Sequence, residues 1–399
     1  MKKFVCKHPW SHFEVNNPNG NVTMCCNNKI VLGNVNESSV DSIWNGKKFS
    51  EVRERMINDG AHSMCPHTCP VLKGGKKYEN LDWYKDLSED GEQRKNAELN
   101  EEEFKNERVV LESKPRWFRF TYSYACNLDC YHCYQREDAT QRIKLPKTFM
   151  EEIPNYAKVA QMVYPFGGEP FYFGPVLEFL ESHNTNLETR FFFITNGTLL
   201  TDRVFNLLKK IPISCMAVSL DAASEQTFDS LRVRGRRASW QTVLENLHKI
   251  SELQKTRGFQ FKVSMTLNSE NCHEIEDFID LAITYGAEPL IMLVANPYQT
   301  VEFHKKYLIF DEKQFRKMEL GIKNGIAKVR SQGYDDAELY LRELLKHLKY
   351  HRDVDNDVIS FSLKKVARNA FYTLPEQLQI PVRKWVQKKR VEKLEKLDS

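Results

Sequence analysis

From residue 116 onward, short runs rich in aromatic and β-branched residues alternate with longer amphipathic ones, and this alternation constrains the fold most. The strand-like runs are Trp117–Tyr124, Gln161–Phe166, Arg190–Thr195, Ile213–Leu220, Gln260–Leu267 and Pro289–Ala295. Helical periodicity lies between them at Thr148–Lys158, Pro175–Ser182, Thr201–Lys209, Ser239–Lys255 and His273–Tyr285. A strand that reaches the next one through a helix returns by a crossover, so the strands run parallel. Six such units fall short of the eight that close an α/β barrel. The expected fold is therefore α/β, a partial and open (βα)6 barrel.

The rest of the chain divides around that block. Residues 1–74 are rich in Cys, His, Asn and Gly and hold a helical pattern near Ser39–Asn58. Residues 75–115 read as a charged linker ending at Pro115, residues 116–300 as the barrel, and residues 301–399 as a helical C-terminal extension. The acidic stretch 86–108 and the basic tail Arg383–Lys396, which contains Trp385, read as a solvated linker and a solvated helix. The tail's other reading is a dock for an acidic partner. A net charge of +4, from 58 basic against 54 acidic residues, gives no reason to expect nucleic acid. No run of about 18 uninterrupted apolar residues occurs, and no signal-peptide core follows Met1, so a cytoplasmic protein without a membrane span is expected.

Ten cysteines in such a protein point to metal or redox chemistry rather than disulfides. Directly after the first strand comes Cys126-Asn127-Leu128-Asp129-Cys130-Tyr131-His132-Cys133-Tyr134. Three thiolates on one short loop hold three irons of a cubane cluster that ordinarily takes four thiolates. The next cysteine is Cys215, so one iron keeps an exchangeable position. The competing reading is zinc on these cysteines with His132, but zinc prefers ligands in spaced pairs, and His132 is adjacent to Cys133. After the second strand, Gly167-Gly168-Glu169-Pro170 combines close backbone approach with a carboxylate. After the third, Thr195-Asn196-Gly197-Thr198 is a turn; the fourth ends in Ser219-Leu220-Asp221. All these groups fall at carboxyl ends of strands, where α/β folds place their sites.

This CxxxCxxC loop with flanking aromatic residues, together with the segments that follow it in order, resembles the radical S-adenosylmethionine (SAM) superfamily over about 116–295. The resemblance implies a SAM-binding 4Fe–4S cluster on Cys126, Cys130 and Cys133. It implies that Gly167, Gly168 and Glu169 receive the SAM amino group, and that Asn196 and Asp221 belong to the cofactor site. Ser219 would contact the ribose or carboxylate and Arg232 the carboxylate, with Arg234, Arg236 and Arg237 as rivals. Asn268 or Asn271 would touch the ribose, and Leu293 and Val294 would pack the adenine or simply the core.

The N-terminal region holds Cys6, then Gly20-Asn21-Val22-Thr23-Met24-Cys25-Cys26, then Cys65-Pro66-His67-Thr68-Cys69. The glycine permits a hairpin that turns Cys25 back toward Cys6. Four thiolates would complete a second 4Fe–4S cluster, or a structural zinc site. The pattern resembles the auxiliary-cluster modules called SPASM and twitch, here placed before the barrel. That implies Cys6, Cys25, Cys65 and Cys69 as ligands, with Cys26 as the alternative to Cys25. Cys215 and Cys272 read as buried thiols without a role.

The resemblance further implies reductive cleavage of SAM to a 5′-deoxyadenosyl radical that abstracts hydrogen from substrate. An oxidoreductase or modifying enzyme acting on a peptide or protein is expected. The alternative is a dehydrogenase of a small molecule such as an aminocyclitol, sugar or nucleotide. Either would draw electrons from an external donor such as flavodoxin or ferredoxin.

Overall fold

The computed structural model describes residues 4–66, 69, 71–72, 81–136, 142–183, 188–233, 238–294, 307–308 and 310–354, with side chains to 348. Its strands are β1 (His12–Val15), β2 (Asn21–Thr23), β3 (Gly33–Asn34), β4 (Trp117–Thr121), β5 (Met162–Phe166), β6 (Arg190–Thr195), β7 (Ile213–Ser219), β8 (Gln260–Leu267) and β9 (Glu288–Leu293). Its helices are α1 (His8–Ser11), α2 (Val40–Trp44), α3 (Lys47–Asp59), α4 (Glu92–Lys105), α5 (Lys147–Ala157), α6 (Gly174–Ser182), α7 (Asp202–Leu208), α8 (Glu225–Phe228), α9 (Trp240–Arg257), α10 (Ile275–Thr284), α11 (Glu312–Ser331) and α12 (Asp335–Val354). His67, Arg234, Arg236, Arg237, Ala295 and the basic tail lie outside the described residues.

Strands β4 to β9 pair in sequence order and all run parallel. Side chains alternate across each strand, so one face meets the helices and the other lines the interior. On β4, Phe118 and Phe120 turn to the helix side, where Phe118 stacks on Phe149 and Tyr156. The opposite face carries a separate apolar group, in which Trp117, Met162 and Tyr164 pack with Leu81. Helix starts follow local chemistry. Thr201 caps α7 and Ser239 caps α9, each by accepting a backbone N–H, and Asp311 and Gln314 form a capping box at α11.

The sheet does not begin at β4. It has nine strands in the order β3-β2-β1-β4-β5-β6-β7-β8-β9. Strand β1 pairs parallel with β4, and β2 and β3 follow as antiparallel neighbours. The N-terminal region thus continues the barrel sheet through backbone hydrogen bonds.

Within residues 75–115, α4 buries polar side chains that other segments satisfy. Asn100 donates to the Trp10 carbonyl at 2.6 Å and to Ser113 Oγ at 2.9 Å. Glu101 pairs with Arg116 at 2.6 Å, and Arg116 also donates to Gln161 Oε1 at 2.7 Å and the Leu81 carbonyl at 2.9 Å. Residue counting registers these charges as solvated, whereas here they fasten α4 to the entrance of β4. At the other end, α11 lies close on α10 because Gly325 leaves room for the Ile279 side chain. No helix among the described residues is long and apolar enough to cross a membrane.

Candidate cluster and cofactor site

The loop with Cys126, Cys130 and Cys133 leaves the carboxyl end of β4 and is gripped by the segments after β5, β6 and β7. On the β5 side, Gly168 donates its N–H to the Ser123 carbonyl at 2.9 Å. A Cβ on Gly168 would overlap the carbonyl oxygens of Ala125 and Tyr124, so only glycine permits this approach. Gly167, at φ +151°, is equally tight against Ser123. On the β6 side, Asn196 Nδ2 donates to Asn127 Oδ1 at 2.8 Å and to Cys126 Sγ at 3.6 Å. Asn127 Nδ2 in turn donates to Thr198 Oγ1 at 2.8 Å. From beyond β7, the Leu231 carbonyl accepts from Tyr131 N–H at 2.9 Å.

Glu169 is fully buried at the end of β5. It accepts from Asn196 N–H at 2.7 Å, Thr195 Oγ1 at 2.8 Å and Phe171 N–H at 3.3 Å. Burial pushes its carboxyl up to about 7, and these hydrogen bonds only partly oppose the rise. A cation brought beside it would restore the charged form. At the end of β7, Asp221 adopts φ +60°, a left-handed conformation rare outside glycine. Its carboxylate pairs with the Arg232 guanidinium, lies 3.2 Å from His132 Nε2 and accepts from Thr266 N–H at 2.6 Å. Burial alone would raise the Asp221 carboxyl, but Arg232 and His132 hold it well below the usual range.

The three thiols fit a metal cluster by their chemistry. Burial pushes Cys126 up to about 11 and Cys130 up to about 12, and raises Cys133 as well. Cys130 also feels the charge of both other thiols. Such thiols stay protonated at neutral pH unless a strong cation displaces the protons. Among the described residues no three His, Cys, Asp or Glu side chains already surround one metal position, so gathering them is left to the cluster. Cys215 and Cys272 are buried and do not join the loop, Cys272 lying 3.3 Å from the Ser269 carbonyl.

Gly167, Gly168, Glu169 and Asn196 thus meet the cysteine loop, and Asp221 with Arg232 closes its other side. Ser219 ends β7 facing Ser264, 3.3 Å away. Asn268 spends its side chain on its own loop, donating to the Thr266 carbonyl at 3.0 Å and accepting from Glu270 N–H at 2.9 Å. Asn271 donates to the Asp221 carbonyl at 2.9 Å, bracing the left-handed turn. Two participants escape the sequence reading. Asn127 is masked by lying between motif cysteines, and His132 finds Asp221 only through the fold.

In the N-terminal region, the β1–β2 hairpin turns at Gly20, with φ +83°. The Phe4 carbonyl accepts from Ala61 N–H at 2.8 Å, bringing the Cys6 segment to the approach of Cys65. Asn28 Nδ2 donates to the Met64 carbonyl at 3.2 Å and reaches Cys65 Sγ at 3.8 Å, drawing in the Cys25 loop. Cys6, Cys25 and Cys69 are buried and Cys65 is half-buried, whereas Cys26 is exposed. Cys25→Ser is therefore expected to remove about four irons per reconstituted chain and Cys26→Ser none, as read by iron and sulfide analysis.

Residues 120–282 match the model of the radical SAM superfamily, and residues 6–70 match the SPASM iron–sulfur cluster-binding domain. The chain carries a radical SAM domain. Its SPASM domain stands before the barrel, and the two domains together imply SAM and 4Fe–4S clusters as cofactors. An AdoMet-dependent heme synthase of Methanosarcina barkeri is 27% identical over 184 residues, 45% of this chain and 50% of that protein. Mycofactocin maturase MftC of Mycolicibacterium smegmatis is 28% identical over 171 residues, 41% of each. A solved structure of anSMEcpe with bound AdoMet and Kp18Cys peptide superposes with a TM-score of 0.41 at 17% identity, covering 55% of this chain and 62% of that one. The chain spans half or less of the length of these curated relatives.

Proposed function

We propose that the chain reductively cleaves SAM in the cytoplasm and removes a hydrogen atom from a peptide or protein, oxidising or otherwise modifying it. The observation that carries this reading is the buried Glu169 carboxylate after β5, joined through Asn196 to Cys126 of the cysteine loop after β4. When bound, a 4Fe–4S cluster on Cys126, Cys130 and Cys133 supplies an electron to SAM, and so the radical. Glu169 receives the SAM ammonium, which returns its carboxyl to the charged form. Asp221 holds the Arg232 guanidinium on one side, while Arg232 Nε has no partner among the described residues and is kept for the SAM carboxylate. Asn196 and Asn127 fix the Cys126 end of the loop. Gly167 and Gly168 set the distance between loop and carboxylate. Ser219, at the end of β7, flanks this pocket, while Asn268 supports it from its own loop.

Cys6, Cys25, Cys65 and Cys69 hold the second cluster, and an external donor such as flavodoxin or ferredoxin delivers electrons. The SPASM domain and the maturase relative favour a peptide substrate. The heme synthase relative favours the second reading, a small molecule. Anaerobically reconstituted, dithionite-reduced protein is expected to release 5′-deoxyadenosine from SAM, measured by chromatography, and no release would overturn the proposal. Faster release with a cell-extract peptide fraction than with the dialysable small molecules selects the peptide reading, and the reverse selects the other.

A further inference from the structure

We propose that the inner face of β4 binds a carboxylate of the substrate, with Arg119 as its anchor. This rests on the radical reading above and names the chemical class that the barrel admits. Three successive inward residues of this strand each carry a buried donor with no acceptor among the described residues: Trp117 Nε1, Arg119 Nε and Thr121 Oγ1. Trp117 is 8% exposed and Thr121 wholly buried. A buried donor without an acceptor is costly, and folded proteins keep few of them. Three in a row on one strand mark a surface built to receive an acceptor.

Arg119 supplies the charge. Its guanidinium lies 5.1 Å over the Tyr164 ring and 4.5 Å over the Phe166 ring, which hold it in place. Its ion pair is a 3.4 Å contact from Nη1 to Glu14 on β1, well beyond the roughly 2.7–2.9 Å of a strong charge-assisted bond. The Nε edge is left for a second partner, and a planar guanidinium edge matches the two oxygens of a carboxylate. Thr121, the next inward residue, ends β4 just before the cysteine loop, so a carboxylate held here places the attached carbons beneath the cluster site. The Tyr164 and Phe166 rings offer an apolar bed for those carbons.

A carboxylate comes from a chain terminus or from an acidic side chain, and three probes separate them: acetyl-Gly-Phe-OH, acetyl-Glu-Phe-amide and the neutral acetyl-Gly-Phe-amide. Each is titrated calorimetrically into reconstituted full-length protein with SAM present. At least one carboxylate probe is expected to bind about tenfold more tightly than the neutral one, the worth of a charge-assisted pair. Which one shows the advantage identifies the source. Arg119→Gln should abolish the discrimination while leaving SAM affinity and iron content unchanged. Thr121→Val, milder for folding, should reduce it by a smaller factor. Equal binding of all three probes, no binding of any, or discrimination that survives Arg119→Gln overturns the inference. Release of 5′-deoxyadenosine by the same preparation is recorded in parallel. Its loss in the unmutated protein indicts the radical reading, whereas release without discrimination indicts the anchor alone.

Discussion

Replacing Cys126, Cys130 and Cys133 together by alanine will leave a folded protein that retains about half of its iron and has lost all SAM cleavage. With one four-iron cluster on each set of cysteines, as proposed, about four of about eight irons should remain. Folding should survive because the loop is tied by other groups. Tyr131 N–H reaches the Leu231 carbonyl at 2.9 Å, Gly168 N–H the Ser123 carbonyl at 2.9 Å and Asn196 the Asn127 side chain at 2.8 Å. None of these uses a thiol. Activity should vanish rather than fall, because no other described cysteine reaches the site: Cys215 and Cys272 are buried elsewhere. Iron and sulfide analysis, circular dichroism and chromatography of the nucleoside product read the three parts. Zinc in the unmutated loop, or cleavage by the triple variant, would sink the assignment.

The largest stability loss is expected at Asp221. Asp221→Ala removes the carboxylate that faces Arg232 and His132 and leaves a guanidinium 6% exposed without its counter-charge. Breaking such a buried pair by removing one partner costs about 3–5 kcal/mol. The backbone adds to it, since φ +60° suits an Asp whose side chain is bonded locally better than an alanine. Asp221→Asn keeps an acceptor for the Thr266 N–H, now at 2.6 Å, and should lose less. Denaturant titration of anaerobically purified protein measures both. A loss below about 1 kcal/mol for Asp221→Ala, the scale of an ordinary surface change, would show that the pair is not structural.

Much of the barrel can be read directly from residue order, and the exceptions have physical causes. After an exposed Gln260, β8 alternates buried and half-buried residues, and its ends fall where periodicity places them, at Gln260 and Leu267. β1, β2 and β3 are too short and too polar to show any period. His12 and Glu14 are strand residues because β4 offers a parallel edge, with Glu14 also paired to Thr23 of β2. The 75–115 stretch misleads for the opposite reason, as its acids bind partners that only the fold brings near. In the site, the cysteine spacing and Gly-Gly-Glu-Pro point to one place because each sits at a strand end. The union of His132, Asp221 and Arg232 depends on three separate segments converging and leaves no trace in any one of them. Asn268, a cofactor contact by resemblance, bonds within its own loop in the fold.

The parallel seam between β1 and β4 also bears on how the molecule is made. Glu14 and its partner Arg119 are separated by 105 positions, so during synthesis the front segment emerges long before the edge it must join. Until then β1 can pair only with β2, and closing so long a loop is slow. Assembly along the seam is thereby ordered in time: β1 can take its place in the barrel sheet only after the first barrel strand has left the ribosome.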